Sequence, residues 1–510
     1  MSGLAFAYGN QALVMVVGLW LTPFLLRHLG QHDFGLWLTA LQIMTYLALA
    51  DFGIVALLPR TVAYATGRAG GKEHAKDLPA TLGQTAIIVL GQTPLVAVAA
   101  AAAWFLLPKE WLALRGPLGL IMGAFAVLFP LRIFPAVLEG LQEQAFVIRT
   151  NTLSWAIGTL GNVLLILAGF GLYSIAAGWL IQQAGSGIIC AYRLWKYHPE
   201  VLPSHMPKLS RSELWAQLGR GFWISANQVG QVLMAGTDVL IISKVLGPSM
   251  VVPYVCTGKL ANVLANQPQM LMHLATPGLS EMKTGESKQR LYQVSVALSQ
   301  GMLLLTGLLF CVIVVVNKAF VLWWVGPKQF GGFTLTCMIL AQMALRHWNL
   351  TFAYTAFSFG YEKVLAIAGF FDGLLTAGAM FVLVSHFGYV GAVAGSIAGV
   401  CLASLPTNMI TVARELRLPV SRLIAPFWPW FWRFALVAGG CVAVAHLWTR
   451  QTPLQMIALG AVVGIVYCVV LLRPILASPL GPYLLRGADA VRHIFLRPVT
   501  AAPSVEKVGS

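Results

Sequence analysis

Charge is scarce in this chain. Asp, Glu, Lys and Arg make up 10% of 510 residues, against 58% hydrophobic residues. A soluble protein of this size needs far more polar surface, so a soluble globular fold is excluded. Acidic residues are the scarcer kind, 17 against 33 basic ones, which leaves a net charge of +16. Long loops are also missing: none between apolar runs exceeds about 25 residues, too little for a soluble catalytic or nucleotide-binding domain. There is no Gly-x-x-x-x-Gly-Lys phosphate loop, which argues against ATP-driven transport by this chain alone. The seven cysteines (Cys190, Cys256, Cys311, Cys337, Cys401, Cys441 and Cys468) all fall inside apolar runs. They lack the paired spacing of a zinc site and do not form a disulfide framework, so they are expected to be small buried hydrophobes. No metal and no cofactor is expected. The first apolar run has no basic segment before it and is flanked by Arg27-His28 rather than by a small-residue cleavage site. It is expected to remain as a membrane segment, not to be cleaved as a signal.

What the chain has instead is a succession of apolar runs long enough to cross a bilayer as helices. Fourteen are predicted, at 4–26, 34–58, 79–107, 117–138, 147–169, 171–195, 215–245, 250–278, 291–316, 331–358, 362–386, 388–412, 427–448 and 452–473. The expected fold is therefore an all-α membrane protein. The positive charge could suggest nucleic acid, but its placement suggests a membrane. With the N-terminus inside, 23 Lys and Arg fall on the inner side, seven on the outer side, and three (Arg132, Lys259 and Arg346) within the membrane. That asymmetry puts both termini in the cytoplasm and leaves nucleic acid without a role.

The chain also repeats itself at a spacing of 217 positions. Asn10-Gln11 returns as Asn227-Gln228, Arg27 as Lys244, Leu29-Gly30 as Leu246-Gly247, and Trp37 as Tyr254. Further on, Phe170-Gly171 returns as Phe387-Gly388 and Ala177-Gly178 as Ala394-Gly395. Six crossings per copy return the chain to its starting side, so the copies share one orientation. The expected organisation is a six-helix lobe at 1–195, a basic cytoplasmic linker at 196–214, and a second six-helix lobe at 215–412. Two additional helices at 413–473 and a cytoplasmic tail at 474–510 complete it. In the tail, residues 484–497 suit either a helix lying on anionic lipid or a disordered segment. Gly391, Gly395 and Gly399 form a four-residue stripe, read either as a dimer contact or as packing within its own lobe.

An ionisable side chain in hydrocarbon costs roughly 2.5–3.5 kcal/mol on insertion scales, so each one needs a partner, water or a function. Asp238 and Lys259 lie at similar depth on either side of the turn at Gly247-Pro248, roughly 15 Å below it by helical rise. Arg346 and Asp372 are placed the same way about Gly360-Tyr361. Each pair is either a static ion pair or a partnership exchanged during transport. Arg132 sits between Pro130 and Pro135, where a kink is expected, and a fixed cation there suits a phosphate. The alternatives for Arg132 are snorkelling to the inner surface or pairing with Glu139. Asp51, near Arg60, is read as a gating residue or an interfacial cap. Asn10, Gln11, Asn227, Gln228 and Gln231 are read as lining a central cavity or as hydrogen-bonding between helices.

Residues Leu25-Leu26-Arg27-His28-Leu29-Gly30-Gln31-His32-Asp33-Phe34-Gly35-Leu36-Trp37 and Tyr46-Leu47-Ala48-Leu49-Ala50-Asp51-Phe52-Gly53-Ile54 resemble the opening hairpin of the polysaccharide-biosynthesis flippases. These are the O-antigen and exopolysaccharide lipid-linked oligosaccharide translocases of the multidrug/oligosaccharidyl-lipid/polysaccharide (MOP) exporter superfamily. Glu139-Gly140-Leu141-Gln142-Glu143 and Tyr173-Ser174-Ile175-Ala176-Ala177-Gly178 are also similar, and the resemblance covers about the first 410 residues. It implies two MATE-like lobes around a cavity that opens to alternate sides. The implied substrate is an undecaprenyl-diphosphate-linked glycan, moved across the bacterial inner membrane without covalent chemistry. Lys259, Arg132 and Arg346 would meet the diphosphate, and Asp51, Arg60, Asp238 and Asp372 would gate or couple transport. Glycosyltransferases and a polysaccharide polymerase are the implied partners. The two extra helices resemble the fourteen-helix branches, which include lipid II flippases, although the basic N-terminal pattern expected of those is missing. A cation-coupled multidrug exporter of the MATE type would favour acidic cavity residues, and a membrane glycosyltransferase or polymerase would bring a large outer loop.

Overall fold

The computed structural model describes residues 2–47, 49, 52–68, 78–203, 205, 211–285, 287–448 and 452–485. Among these residues there is no strand. In hydrocarbon each backbone amide and carbonyl must be satisfied within its own segment, and the helix does this. The helices are α1 (Ser2–Leu47), α2 (Ile54–Arg68), α3 (Leu78–Phe105), α4 (Arg115–Leu128), α5 (Ile133–Gly140), α6 (Gln144–Leu167), α7 (Tyr173–Tyr197), α8 (Arg211–Val245) and α9 (Val251–Leu264). They continue as α10 (Asn266–Gly285), α11 (Lys288–Trp324), α12 (Phe333–Ser358), α13 (Glu362–Phe387), α14 (Tyr389–Gly399), α15 (Leu405–Leu416), α16 (Val420–Ile424), α17 (Trp428–Leu447) and α18 (Pro453–Leu476). Within the described residues all fourteen predicted segments are mainly helical, and nine helices there are long and apolar enough to cross a membrane.

The first predicted segment and residues 34–47 of the second run on as α1, bent at Gly30 (φ 78°, ψ 171°), whereas residues 54–58 of the second open α2. Its counterpart Gly247 has nearly the same backbone, φ 95° and ψ 156°, and separates α8 from α9. A side chain strains this left-handed conformation, which is why glycine recurs at both turns. Gly171 (φ 53°) and Gly388 (φ 60°) repeat the device before α7 and α14.

The structure divides into two compact units, neither continuous in sequence. The first comprises 1–263, 317–345 and 362–407, and the second 264–316, 346–361 and 408–510. In the first unit α6 packs on α7, α13 on α14 and α8, α2 on α5, α3 on α4, and α1 on α8. Its core contains Leu36, Leu58, Leu118, Ile121 and Phe129, all nearly inaccessible. In the second unit α17 packs on α18. Phe427 there meets Trp348 edge-on at 6.0 Å between ring centroids.

The glycine stripe of α14 is used within the chain. A Cβ on Gly391 would fall 2.1 Å from the Leu383 carbonyl oxygen, one on Gly395 2.6 Å from the Met380 nitrogen, and one on Gly399 2.1 Å from Thr376 Oγ1. The stripe seats α14 on α13, so it packs within its own repeat and does not serve the dimer contact considered from sequence.

Gly35 approaches backbone closely, since a Cβ there would lie 1.9 Å from the Pro248 carbonyl oxygen. Backbone on both sides cannot yield as a flexible side chain would. Gly35→Ala is expected to cost roughly 2–4 kcal/mol. Gly123, whose added Cβ meets nothing within 4 Å, is the control. Thermal unfolding of the detergent-solubilised protein should show a lower midpoint for Gly35→Ala and little change for Gly123→Ala.

Candidate functional site

The polar interior of the first unit is built around a break in one helix. Pro130 removes an amide donor, and residues Phe129–Arg132 form a 3-10 turn between α4 and α5. The two prolines led to the expectation of a kink, and this 3-10 turn is the irregularity observed there. Gly187 of α7 makes room for this turn, because a Cβ there would lie 2.8 Å from Leu131 Cβ. The turn ends on Arg132, whose guanidinium lies 5.8 Å from the centre of the Phe129 ring.

Arg132 lines a cavity of about 380 Å³ together with Glu139, Asn151, Gln183, Ser186 and Gln228. It also borders a smaller neighbouring recess of about 90 Å³ beside Phe129, Trp179 and Gln183. Ser186 donates to Asn151 Oδ1, which ties α7 to α6 at the cavity wall. The arrangement offers one permanent cation, one carboxylate and three amides inside an apolar bundle. Such a surface can hold an anion and hydroxyl-rich groups.

Of the residues proposed from sequence, Arg132 and Gln228 therefore meet in one cavity. Asn10 accepts a hydrogen bond from Thr152 at 2.8 Å, which fixes α1 against α6. Gln231 is exposed, and Gln11 is half-buried. Only the backbone of Asn227 is described, and Asp51 lies outside the described residues. Arg60 is exposed and turns to Tyr64, donating from Nε to its hydroxyl at 3.1 Å. Arg346 belongs to the second unit. Asp372 is fully buried and accepts hydrogen bonds from Thr376, at 3.1 Å, and from Ser404. Ser404 closes a π-helical turn at Val400–Ser404, and the wider turn carries the hydroxyl to the carboxylate.

The pairing of Asp238 with Lys259 does not occur. Asp238 accepts from the Tyr254 hydroxyl at 2.6 Å and from the Val239 amide at 2.8 Å. Lys259 points toward α1, where its Nζ would lie 4.0 Å from a Cβ built on Gly18. Spacing from the turn does not by itself decide contact; azimuth does. Five residues at about 100° each set Tyr254 and Lys259 roughly 140° apart around α9, so only one of them can face α8. Glu139 likewise makes no ion pair among the described residues, so the proposed Arg132–Glu139 pair is also absent.

Asn151, Gln183 and Ser186 were not proposed from sequence. Their signal was present as polar residues within the fifth and sixth apolar runs, but such residues also join helices by hydrogen bonds. Nearby, Glu143 holds the turn between α5 and α6. It accepts from Arg193 Nε at 3.0 Å and pairs with His198 Nε2 at 2.7 Å. Burial alone would raise its carboxyl, but the hydrogen bonds and charges of Arg193 and His198 hold it below its ordinary 4.5. A depressed carboxylate adds stability above its unfolded value and loses it as pH falls through the folded one. Glu143→Gln should lower the unfolding midpoint at neutral pH. The gap from the unsubstituted protein should close as the medium is acidified below pH 4.5.

A second contact zone joins the two sequence repeats within the first unit. Gln31 Nε2 donates to the Ser249 carbonyl at 2.9 Å, and Gln329 Nε2 donates to Gln31 Oε1 at 3.3 Å. Thr39 Oγ1 donates to Ser243 Oγ at 2.9 Å, and Tyr46 bonds Thr237 at 2.6 Å. The seam thus runs from the Gly30 and Gly247 turns along α1 and α8. By helical rise, Gln31 and Tyr46 are roughly 22 Å apart.

Comparison with known proteins is consistent with this geometry. Residues 131–328, which include Arg132, Gln183, Gln228, Asp238 and Lys259, match the family described as "Polysaccharide biosynthesis protein". No curated protein matches the sequence. Among solved structures, the fold is similar to that of the lipid II flippase MurJ in an inward closed conformation. That alignment has a TM-score of 0.65 at 12% identity and covers 92% of this chain and 99% of the other. A MOP superfamily transporter from Pyrococcus furiosus, described as having a binding pocket of reverse polarity, gives a TM-score of 0.54 at 13% identity over 80% of this chain and 94% of that one. A MATE structure in complex with MaD3S gives 0.52 at 14% identity, covering 81% and 94%. The chain is a multi-pass membrane protein with the fold of the MOP-superfamily transporters, and its residues 131–328 carry the pattern of the polysaccharide biosynthesis protein family.

Proposed function

We propose that this protein is a flippase that carries an undecaprenyl-diphosphate-linked oligosaccharide across the bacterial cytoplasmic membrane by alternating access, without covalent chemistry. The observation that carries this reading is the Arg132 cavity, an amide-rich recess that holds a guanidinium and whose polar lining residues all fall in the segment that matches the polysaccharide family. A guanidinium meets two phosphate oxygens in one plane, and amides exchange hydrogen bonds with sugar hydroxyls. Glu139, two turns further along the same segment, repels anion at its end and confines the phosphate to the Arg132 end. Lys259, without a hydrogen-bond or ion-pair partner among the described residues, supplies a second cation from the other repeat. Arg346 is assigned to the same charge set from the sequence. The prenyl tail remains in lipid.

In this reading residues 1–195 and 215–412 act as two lobes joined by 196–214, with 413–473 and 474–510 as additions and both termini in the cytoplasm. The Gly30 and Gly247 turns then face outward, and the seam along α1 and α8 is the closed outer gate. Asp51 and Arg60 act at the inner end of that gate. Asp238, half-buried beside the Tyr254 hydroxyl, and Asp372, fully buried between two hydroxyls, are the groups through which a proton or cation would couple to transport. Glycosyltransferases supply the substrate, and a polymerase consumes it. An exporter of cationic drugs would need an acidic recess, which the Arg132 cavity is not.

A lipid II flippase is the second reading, favoured by the fold's likeness to MurJ along nearly the whole chain. Proteoliposomes carrying a fluorescent undecaprenyl-diphosphate oligosaccharide, or lipid II, separate the two. Faster movement of the oligosaccharide supports the first reading, and faster movement of lipid II the second. Movement of neither above protein-free vesicles rejects both.

A further inference from the structure

The second unit contains a cavity that the transport reading does not use. It has a volume of about 490 Å³ and lies where α11, the start of α17 and the end of α18 meet. Its walls are apolar, with Leu303, Leu304, Phe427 and Trp430 among them, and its rim carries Arg433 and Arg473. The floor is fixed. Tyr467, wholly buried, donates to the Leu304 carbonyl at 3.0 Å and accepts from Trp430 Nε1 at 3.2 Å. Trp430 in turn stacks on Phe434 with ring centroids 4.8 Å apart.

Neither rim arginine has an acidic partner among the described residues. Arg433 donates to the Pro429 carbonyl of its own helix at 2.7 Å and lies over Trp432 at 4.2 Å, which leaves the rest of its fork open. Arg473 is exposed at the end of α18. Two guanidinia at helix ends, above an apolar slot in a membrane protein, have the chemistry of a phospholipid site. The phosphate sits on the arginines and an acyl chain lies along the slot. One anionic phosphate offsets one of the two positive charges, a neutral headgroup offsets neither, and a zwitterionic one brings its own ammonium against the two guanidinia. We propose that this cavity holds one anionic phospholipid, of the phosphatidylglycerol type, which ties the two helices outside the repeat to α11.

The test uses the whole protein in mild detergent, with native mass spectrometry and thermal unfolding against added lipid. Phosphatidylglycerol is expected to stay bound as one molecule and to raise the unfolding midpoint, and phosphatidylcholine to do neither. Arg433→Gln and Arg473→Gln should each weaken retention about fivefold, and the double variant more. Arg422→Gln, which changes an exposed arginine that does not line the cavity, should retain the lipid normally. Arg473→Gln alters only an exposed side chain, so its folding serves as the reference if Arg433→Gln is lost. Equal retention of phosphatidylcholine would overturn the proposal, as would unchanged retention in Arg473→Gln. Displacement of phosphatidylglycerol by undecaprenyl phosphate at equal concentration would assign the cavity to the carrier lipid instead.

Discussion

Arg132→Gln is expected to slow movement of the lipid-linked oligosaccharide by about 10–100-fold, with protein abundance close to normal. The size follows from the interaction removed. A charged hydrogen bond in a site of restricted hydration is worth roughly 1.5–3 kcal/mol, and each 1.4 kcal/mol is a factor of ten. Glutamine keeps the length and part of the hydrogen-bonding capacity but loses the charge and the planar fork. Arg132→Lys should recover only part of the rate, because an ammonium meets a diphosphate as a point charge. The loss should appear mainly as weaker substrate affinity if the arginine holds the phosphate equally throughout the cycle. It should appear as a lower maximal rate if the contact is made only as the cavity changes sides. An unchanged rate with Arg132→Gln, measured at matched protein levels in the vesicles, would remove the cavity from the transport path.

Much of the fold was legible in the sequence because a bilayer imposes a length on every crossing segment. Within the described residues the fourteen apolar runs are mainly helix, and the break beside Pro130 fell where an amide is missing. The repeat was legible at Gly30 and Gly247 because a left-handed turn admits few residues other than glycine. The site was less legible. Hydropathy reports depth but not the direction in which a side chain points. Asp238 and Lys259 were placed at equal depth, and Tyr254 took the carboxylate. Asn151 and Ser186 carry the polarity expected of both a cavity wall and an interhelical hydrogen bond, and here they serve as both. Only the positions of α6 and α7 around the Arg132 turn distinguish the two roles. The glycine stripe at Gly391, Gly395 and Gly399 shows the same limit, since spacing predicts close approach but does not name the partner.

Cross-linking the seam between α1 and α8 is expected to stop transport altogether. Thr39 and Ser243 are both fully buried, and their hydroxyl oxygens stand 2.9 Å apart. Two short side chains that touch in this way are the natural positions for a Thr39→Cys/Ser243→Cys pair, since a disulfide needs its Cβ atoms about 3.5–4.5 Å apart. The exposed Cys401 and Cys468 would first be replaced by serine to prevent unwanted pairing. If the substrate leaves by separation of the two repeats, α1 and α8 must part along the seam that Gln31, Thr39 and Tyr46 now close. A covalent bond within the seam holds the molecule in one state, and alternating access needs two. Movement in proteoliposomes should fall to the protein-free background after treatment with a membrane-permeant oxidant, and reductant should restore it. Each single cysteine variant should be insensitive to both treatments. Binding of the substrate from the inner side should survive the cross-link, because the Arg132 cavity does not depend on opening the seam. Continued transport by the fully cross-linked protein would show that the repeats do not separate along this line, and the outer exit would then lie elsewhere.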